Sequence, residues 1–134
     1  MGYRMNPFSG VLDMVSGNCQ YAVGTASTTD ATKTSIASLN MEEGVVMFVE
    51  AMVSGTKSDQ SSVGGAFITG LFKRATGGNV TQVGDTEMRA AQLSGTWNVE
   101  FTADTSNQQI DIDVTGATAT AISWKADVKY LVIG

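Results

Sequence analysis

Three stretches toward the end of the chain alternate strictly between apolar and polar residues, and this alternation constrains the fold more than any other feature. Trp97, Val99 and Phe101 interleave with Asn98, Glu100 and Thr102. Ile110, Ile112 and Val114 interleave with Asp111 and Asp113, and Ile122, Trp124, Ala126 and Val128 with Lys125, Asp127 and Lys129. A period of two sends each set to one side of an extended chain, so each stretch reads as a strand with one buried and one wet face. Helical spacing is weak elsewhere, while 15 glycines, many Thr and Val, and clusters of Gly, Asn and Asp point to short strands joined by turns. Further strands are predicted over Lys33–Leu39, Gly44–Ser54, Ala66–Thr76 and Val80–Gly84, with a hairpin turn around Asp104–Asn107. Together these spell an all-β fold, an antiparallel, jelly-roll-like β-sandwich.

Two of the predicted strands are apolar on both sides. Val45, Met47, Val49, Ala51 and Val53 share one parity; Val46, Phe48, Glu50 and Met52 share the other. In the next strand Phe67 and Leu71 oppose Ile68 and Phe72. A sheet with two apolar faces must bury both. One face meets the opposing sheet. The other is covered either by a partner chain or by Gly84–Gly95 folding over it as one short helix. An apolar patch of that extent favours the partner. Val45, Met47, Val49 and Phe67 are the candidate subunit contacts, chosen on parity alone. Glu50, the only charge in its strand, is expected to be buried and paired with Lys73 or Arg74.

Composition removes whole classes of function. At 134 residues, 43% hydrophobic and 16% charged, the chain is one globular domain and not a disordered one. Net charge is −5, and the eight Lys and Arg are scattered, which fits neither a nucleic-acid groove nor a basic membrane patch. Histidine is absent, and with it the commonest general base and metal ligand. Cys19 stands alone, so no intrachain disulfide forms, and it is expected to act as a small hydrophobe. No run approaches the roughly 18 apolar residues of a spanning helix. The opening residues lack the pattern of a signal peptide, so synthesis in a cytoplasm is expected.

Candidate chemistry is thin. Asp111 and Asp113 share a strand face, but calcium needs six or more oxygens from a loop, and solvated alternation yields the same spacing. Glu42 and Glu43 fit a solvated turn. The glycine pairs in "ATGGNV" and "SVGGAF" lack the Lys or the spaced third glycine of a phosphate cradle. Ser and Thr abound without a histidine to activate them. A converging carboxylate pair among the 13 acidic residues stays open as a glycosidase reading. Trp97 and Trp124 follow the apolar parity of their strands and are expected in the core. No catalytic residue, metal ligand or cofactor site is assigned.

The opening segment, "YRMNPFSGVLDMVSG" over residues 3–17, has a different character. It holds the chain's only proline in a turn-forming "NPFSG", flanked by aromatic, Arg and Met side chains of the kind enriched at interface cores. Residues 24–32, "GTASTTDAT", carry one charge and nothing larger than Thr, and read as a strap. The expected organisation is an extended N-terminal attachment arm over 1–23, a strap over 24–32 and a sandwich over 33–134. The arm docks on another subunit through Tyr3, Arg4, Asn6, Pro7, Phe8 and Leu12; an edge strand of the same sandwich is the alternative.

"YRMNPFSGVLDMV" is similar to a short N-terminal motif of tailed-bacteriophage virion proteins, in which an aromatic-basic start leads into an Asn-Pro-Phe-Thr/Ser-Gly turn and a Leu-Asp pair. The body resembles a β-domain of phage structural and fibre proteins in "TTDATKTSIASL", "VEAMV", "GGNVTQVG", "WNVEF" and "IDVTGATATAISWKADV", which together cover most of Thr28 to Val128. Met52 and the polar "SGTKSDQSS" depart from it, since the family often carries basic residues there. The resemblance implies a non-enzymatic, commonly trimeric building block of a virion, made in the host cytoplasm. It would be an accessory capsid decoration or cement protein or a short head fibre, bound to the major capsid protein or another virion protein. No cofactor, nucleic acid or membrane is implied. The second reading is a tail-fibre, tail-tip or baseplate adhesion module for host-surface glycans. That reading needs aromatic side chains on loops, and the loops here carry mostly Gly, Ser, Thr and Asp.

Overall fold

The computed structural model describes residues 19–134, and every regular element among them is a strand. The order is β1 (Cys19–Thr28), β2 (Thr34–Asn40), β3 (Val45–Thr56), β4 (Val63–Arg74), β5 (Val80–Gln92), β6 (Asn98–Asp104), β7 (Gln109–Thr115) and β8 (Ile122–Ile133). A five-stranded sheet, β1-β8-β3-β4-β5, packs on a three-stranded sheet, β2-β7-β6, and all pairings are antiparallel. The first strand pairs with the last and β2 with β7, a nested wrap of the jelly-roll kind, whereas β3–β4, β4–β5 and β6–β7 are neighbours in sequence. The all-β antiparallel sandwich read from the alternation is the fold observed.

The core lies between the sheets, and its largest rings sit over glycines. Trp97 and Trp124 pack with centroids 5.4 Å apart, and Phe72 meets Phe101 edge-on at 5.3 Å. On the inner face of β3 and β4, a Cβ at Gly55 would come within 2.6 Å of the Trp124 ring, and one at Gly64 within 2.8 Å of Trp97. The missing side chains are the room the rings occupy. Trp124 then donates its Nε1–H to Thr28 Oγ1 at 2.9 Å, so both buried polar groups are satisfied.

Two segments differ from the expectation. Residues 24–28, read as strap, and 19–23, read as the end of the arm, form β1, which pairs with β8 along its whole length. The small side chains there serve close approach: a Cβ on Gly24 would fall 2.1 Å from the Ile36 carbonyl oxygen of β2. Near that edge the two sheets converge, and larger residues would hold them apart. The arm residues Tyr3, Arg4, Asn6, Pro7, Phe8 and Leu12 lie outside the described residues. The second difference is Gly84–Gly95, whose first part continues β5 to Gln92 and forms no helix. Pairing with β4 breaks between Thr69 and Leu71, where Gly84 takes φ +75°, and resumes from Glu87. Glycine adopts that left-handed φ without strain, so the strand bulges and continues.

The glycine seats are testable. Gly55→Ala should cost about 1–3 kcal/mol by forcing a methyl group into Trp124. Gly65→Ala, whose new Cβ meets nothing nearer than 3.6 Å, should stay within about 0.5 kcal/mol of the parent. Urea unfolding separates the two; equal stabilities would contradict the packing described.

Candidate functional site

The two sheets turn opposite kinds of surface outward. On the five-stranded sheet, registers align Cys19, Leu131, Phe48, Leu71 and Val83 in one line across all five strands. The next line is Tyr21, Lys129, Glu50, Thr69 and Glu87, and the one after it Val23, Asp127, Met52, Phe67 and Arg89. Among the described residues, every exposed large hydrophobic except Met88 belongs to this face, with Met52 62% and Val23 77% accessible. Shallow grooves flank Phe67: one reaches Ala90 and Ala91, another Tyr21 and Lys129. The three-stranded sheet packs on the opposite face, and among the described residues no further layer covers this side.

The outer face of the small sheet is polar and acidic. Lys33 Nζ lies 2.9 Å from Glu100 Oε2 and 4.0 Å from Asp113 Oδ2. Thr102 donates its hydroxyl to Asp113, and Ser38 and Gln109 donate to Asp111 Oδ1 at 2.7 and 2.8 Å. Asp104, the last residue of β6, accepts from Asn107 and Ser106, and these bonds hold its carboxyl below the usual range. Each of these carboxylates accepts at least one hydrogen bond or ion pair, so the network is a structured surface. Among the described residues no group of three or more Cys, Asp or Glu is placed to hold a metal ion. No helix among them is long and apolar enough to cross a membrane.

The residues singled out from sequence divide across the sandwich. Met47 and Val49 point inward at 3% and 0% exposure, and Val45 packs against the same core, so the parity chosen for partner contact is the one this chain buries for itself. The opposite parity, Val46, Phe48 and Met52, is the exposed one. Phe67 alone of the four lies outward, half-buried. The signal was present in Glu50: a single charge in an apolar strand marks the parity nearer to water. Glu50 is half-buried on that outer face, opposite Thr69 and Lys129, and is paired with neither Lys73 nor Arg74. Arg74 instead donates to the carbonyls of Met41 and Gly78 at 2.9 Å each and lies 3.6 Å from Glu43. Trp97 and Trp124 are in the core, as their parity indicated. Asp113 is buried at 5% exposure, where simple alternation had suggested a solvated carboxylate.

No protein-family model matches the chain, and no curated protein sequence matches it. Among solved structures, it is similar to the tailspike protein of Acinetobacter baumannii phage AM24, with 7% identity and TM-score 0.42 over 84% of this chain and 26% of that one. It is similar also to the tailspike of Acinetobacter baumannii bacteriophage Fri1, a capsular polysaccharide depolymerase, at 9% identity and TM-score 0.43 over 87% of this chain and 20% of that one. The tailspike of Acinetobacter phage vB_ApiP_P1 aligns at 15% identity and TM-score 0.37 over 90% of this chain and 22% of that one. The chain thus spans about a quarter or less of each tailspike. At these scores the likeness extends to neither activity nor partners.

Asp113 gives the acidic face a titration of its own. Burial pushes its carboxyl above the ordinary value, aided by the neighbouring Asp111 and Glu100 charges, while the Thr102 hydroxyl and Lys33 pull the other way. A raised folded-state pKa means that the native state holds the proton longer than the unfolded chain does. The Asp113 contribution therefore lowers stability as pH climbs from the ordinary carboxylate pKa to the raised one. Asp113→Asn, which can still accept from Thr102, should match or exceed the parent's stability at pH 7. Its advantage should shrink as pH falls through that window. Denaturant melts across the acid range check this; a loss of about 3 kcal/mol or more at pH 7 would show the anion to be net stabilising.

Proposed function

We propose that the chain is a non-enzymatic structural protein of a bacteriophage virion: an accessory capsid decoration or cement protein, or a short head fibre. The observation that carries this reading is the contrast between the outer faces. One carries nearly all the exposed large hydrophobics and is covered by no described residue, the other is acidic with its polar groups tied in a hydrogen-bonded network. A module of this kind is adhesive on one side and wettable on the other, which suits a repeated building block with one side against its neighbours. The similarity of "YRMNPFSGVLDMV" to a virion attachment motif supplies the second support. On this reading residues 1–17 dock the protein to the major capsid protein or another virion protein, and copies associate, as a homotrimer, beside one another. The work is mechanical: apolar surface is buried between subunits, and no cofactor takes part. A tail-tip module for host glycans draws nothing from Trp97 and Trp124, whose rings lie inside the sandwich and offer no platform for a sugar.

Deleting residues 1–17 leaves β1 and the sandwich intact by sequence. The truncated protein should keep the strand-rich circular dichroism and the melting temperature of the parent, and its incorporation into particles should fall to background. Normal incorporation would contradict docking through that segment.

A further inference from the structure

We infer that the outer face of the five-stranded sheet is the joint between copies of this chain, centred on the line Leu131–Phe48–Leu71 and on Met52 and Phe67. The inference rests on the reading above, that the chain is a building block of an assembly, and names the surface and the occupant. The line Cys19, Leu131, Phe48, Leu71 and Val83 is apolar in all five strands, and two neighbouring lines add Tyr21, Val23, Met52 and Phe67 around a few charges. Five strands spaced about 4.8 Å apart, each contributing about ten residues at about 3.3 Å, present roughly 800 Å². That is the share one partner gives to a standard stable interface.

Charge identifies the occupant as a second copy. The face carries Lys73, Arg89, Lys125 and Lys129 against Glu50, Glu87 and Asp127, both signs interleaved, with Lys129 opposite Glu50. Such a surface holds complements to its own charges and offers no field of one sign to a strongly acidic or basic partner. The small sheet's outer face sets Glu100, Asp104, Asp111 and Asp113 against Lys33 alone, so two copies meeting there repel. Copies therefore meet through the apolar face and keep the acidic faces apart and wet.

The test is the mass of the full chain in solution at about 100 µM, by sedimentation equilibrium. The parent should weigh two or more whole multiples of 14.0 kDa. Phe48→Glu and Met52→Glu, each placing a charge at an accessible position, should fall to 14.0 kDa while keeping the parent's strand-rich circular dichroism. Two positions are used so that misfolding of one leaves the other decisive. Ser35→Lys, on the opposite sheet, should keep the parent's mass. A parent at 14.0 kDa, folded face variants that remain associated, or dissociation by Ser35→Lys would each overturn the inference. A monomeric parent that still needs residues 1–17 to join particles would overturn this joint and leave the docking reading standing.

Discussion

Strand β3 is the constraint around which the rest of the molecule is arranged. It sits in the middle of the five-stranded sheet, hydrogen-bonded to β8 on one side and β4 on the other, and it is apolar on both faces. Met47, Val49, Ala51 and Val53 are buried against the small sheet, with Ile110, Ile112 and Val114 of β7 in the same core. The other face has no third layer within the described residues. Burying a large apolar side chain contributes about 1.5–3 kcal/mol, so a row of them left open is a standing drive to associate.

The two halves of the sandwich share this burden unequally. The small sheet covers the inner face, and the glycines on β3 and β4 let Trp97 and Trp124 lie flat enough for the sheets to close. Its outer face spends its polar groups on one another through Lys33, Glu100, Thr102 and Asp113. A surface so satisfied has little to offer a partner. The sidedness of the protein therefore comes from one strand with two greasy faces and one narrow sheet that covers only one of them.

Much of this was legible in the residues, for identifiable reasons. β6, β7 and β8 alternate apolar with polar residues, so alternation located them to within a few residues, and parity placed both Trp rings in the core. β3 and β4 were found as strands, but their parity was ambiguous because both sides are apolar; Glu50 was the one discriminating residue, and a presumed pairing with Lys73 or Arg74 hid its meaning. β1 was missed because its inward positions are Ala22, Gly24 and Ala26, sized for contact with the β2 backbone, and small residues in sequence resemble a linker. The second half of β5 was missed because it is mostly exposed, so burial imposes no alternation on it. Asp113 looked solvated because periodicity reports which face a residue is on and says nothing of how tightly its neighbours close over it.

The central claim is that the outer face of the five-stranded sheet is covered when copies meet. Methionine oxidation reads this directly, because Met52 lies at the centre of that face, 62% accessible, while Met88 is 43% accessible and has the opposite parity on β5. Peroxide oxidation of the full chain, followed by peptide mass spectrometry over a concentration series, should show Met52 protected progressively as copies associate and Met88 reacting at a constant rate. Equal reactivity of Met52 at every concentration would contradict the account.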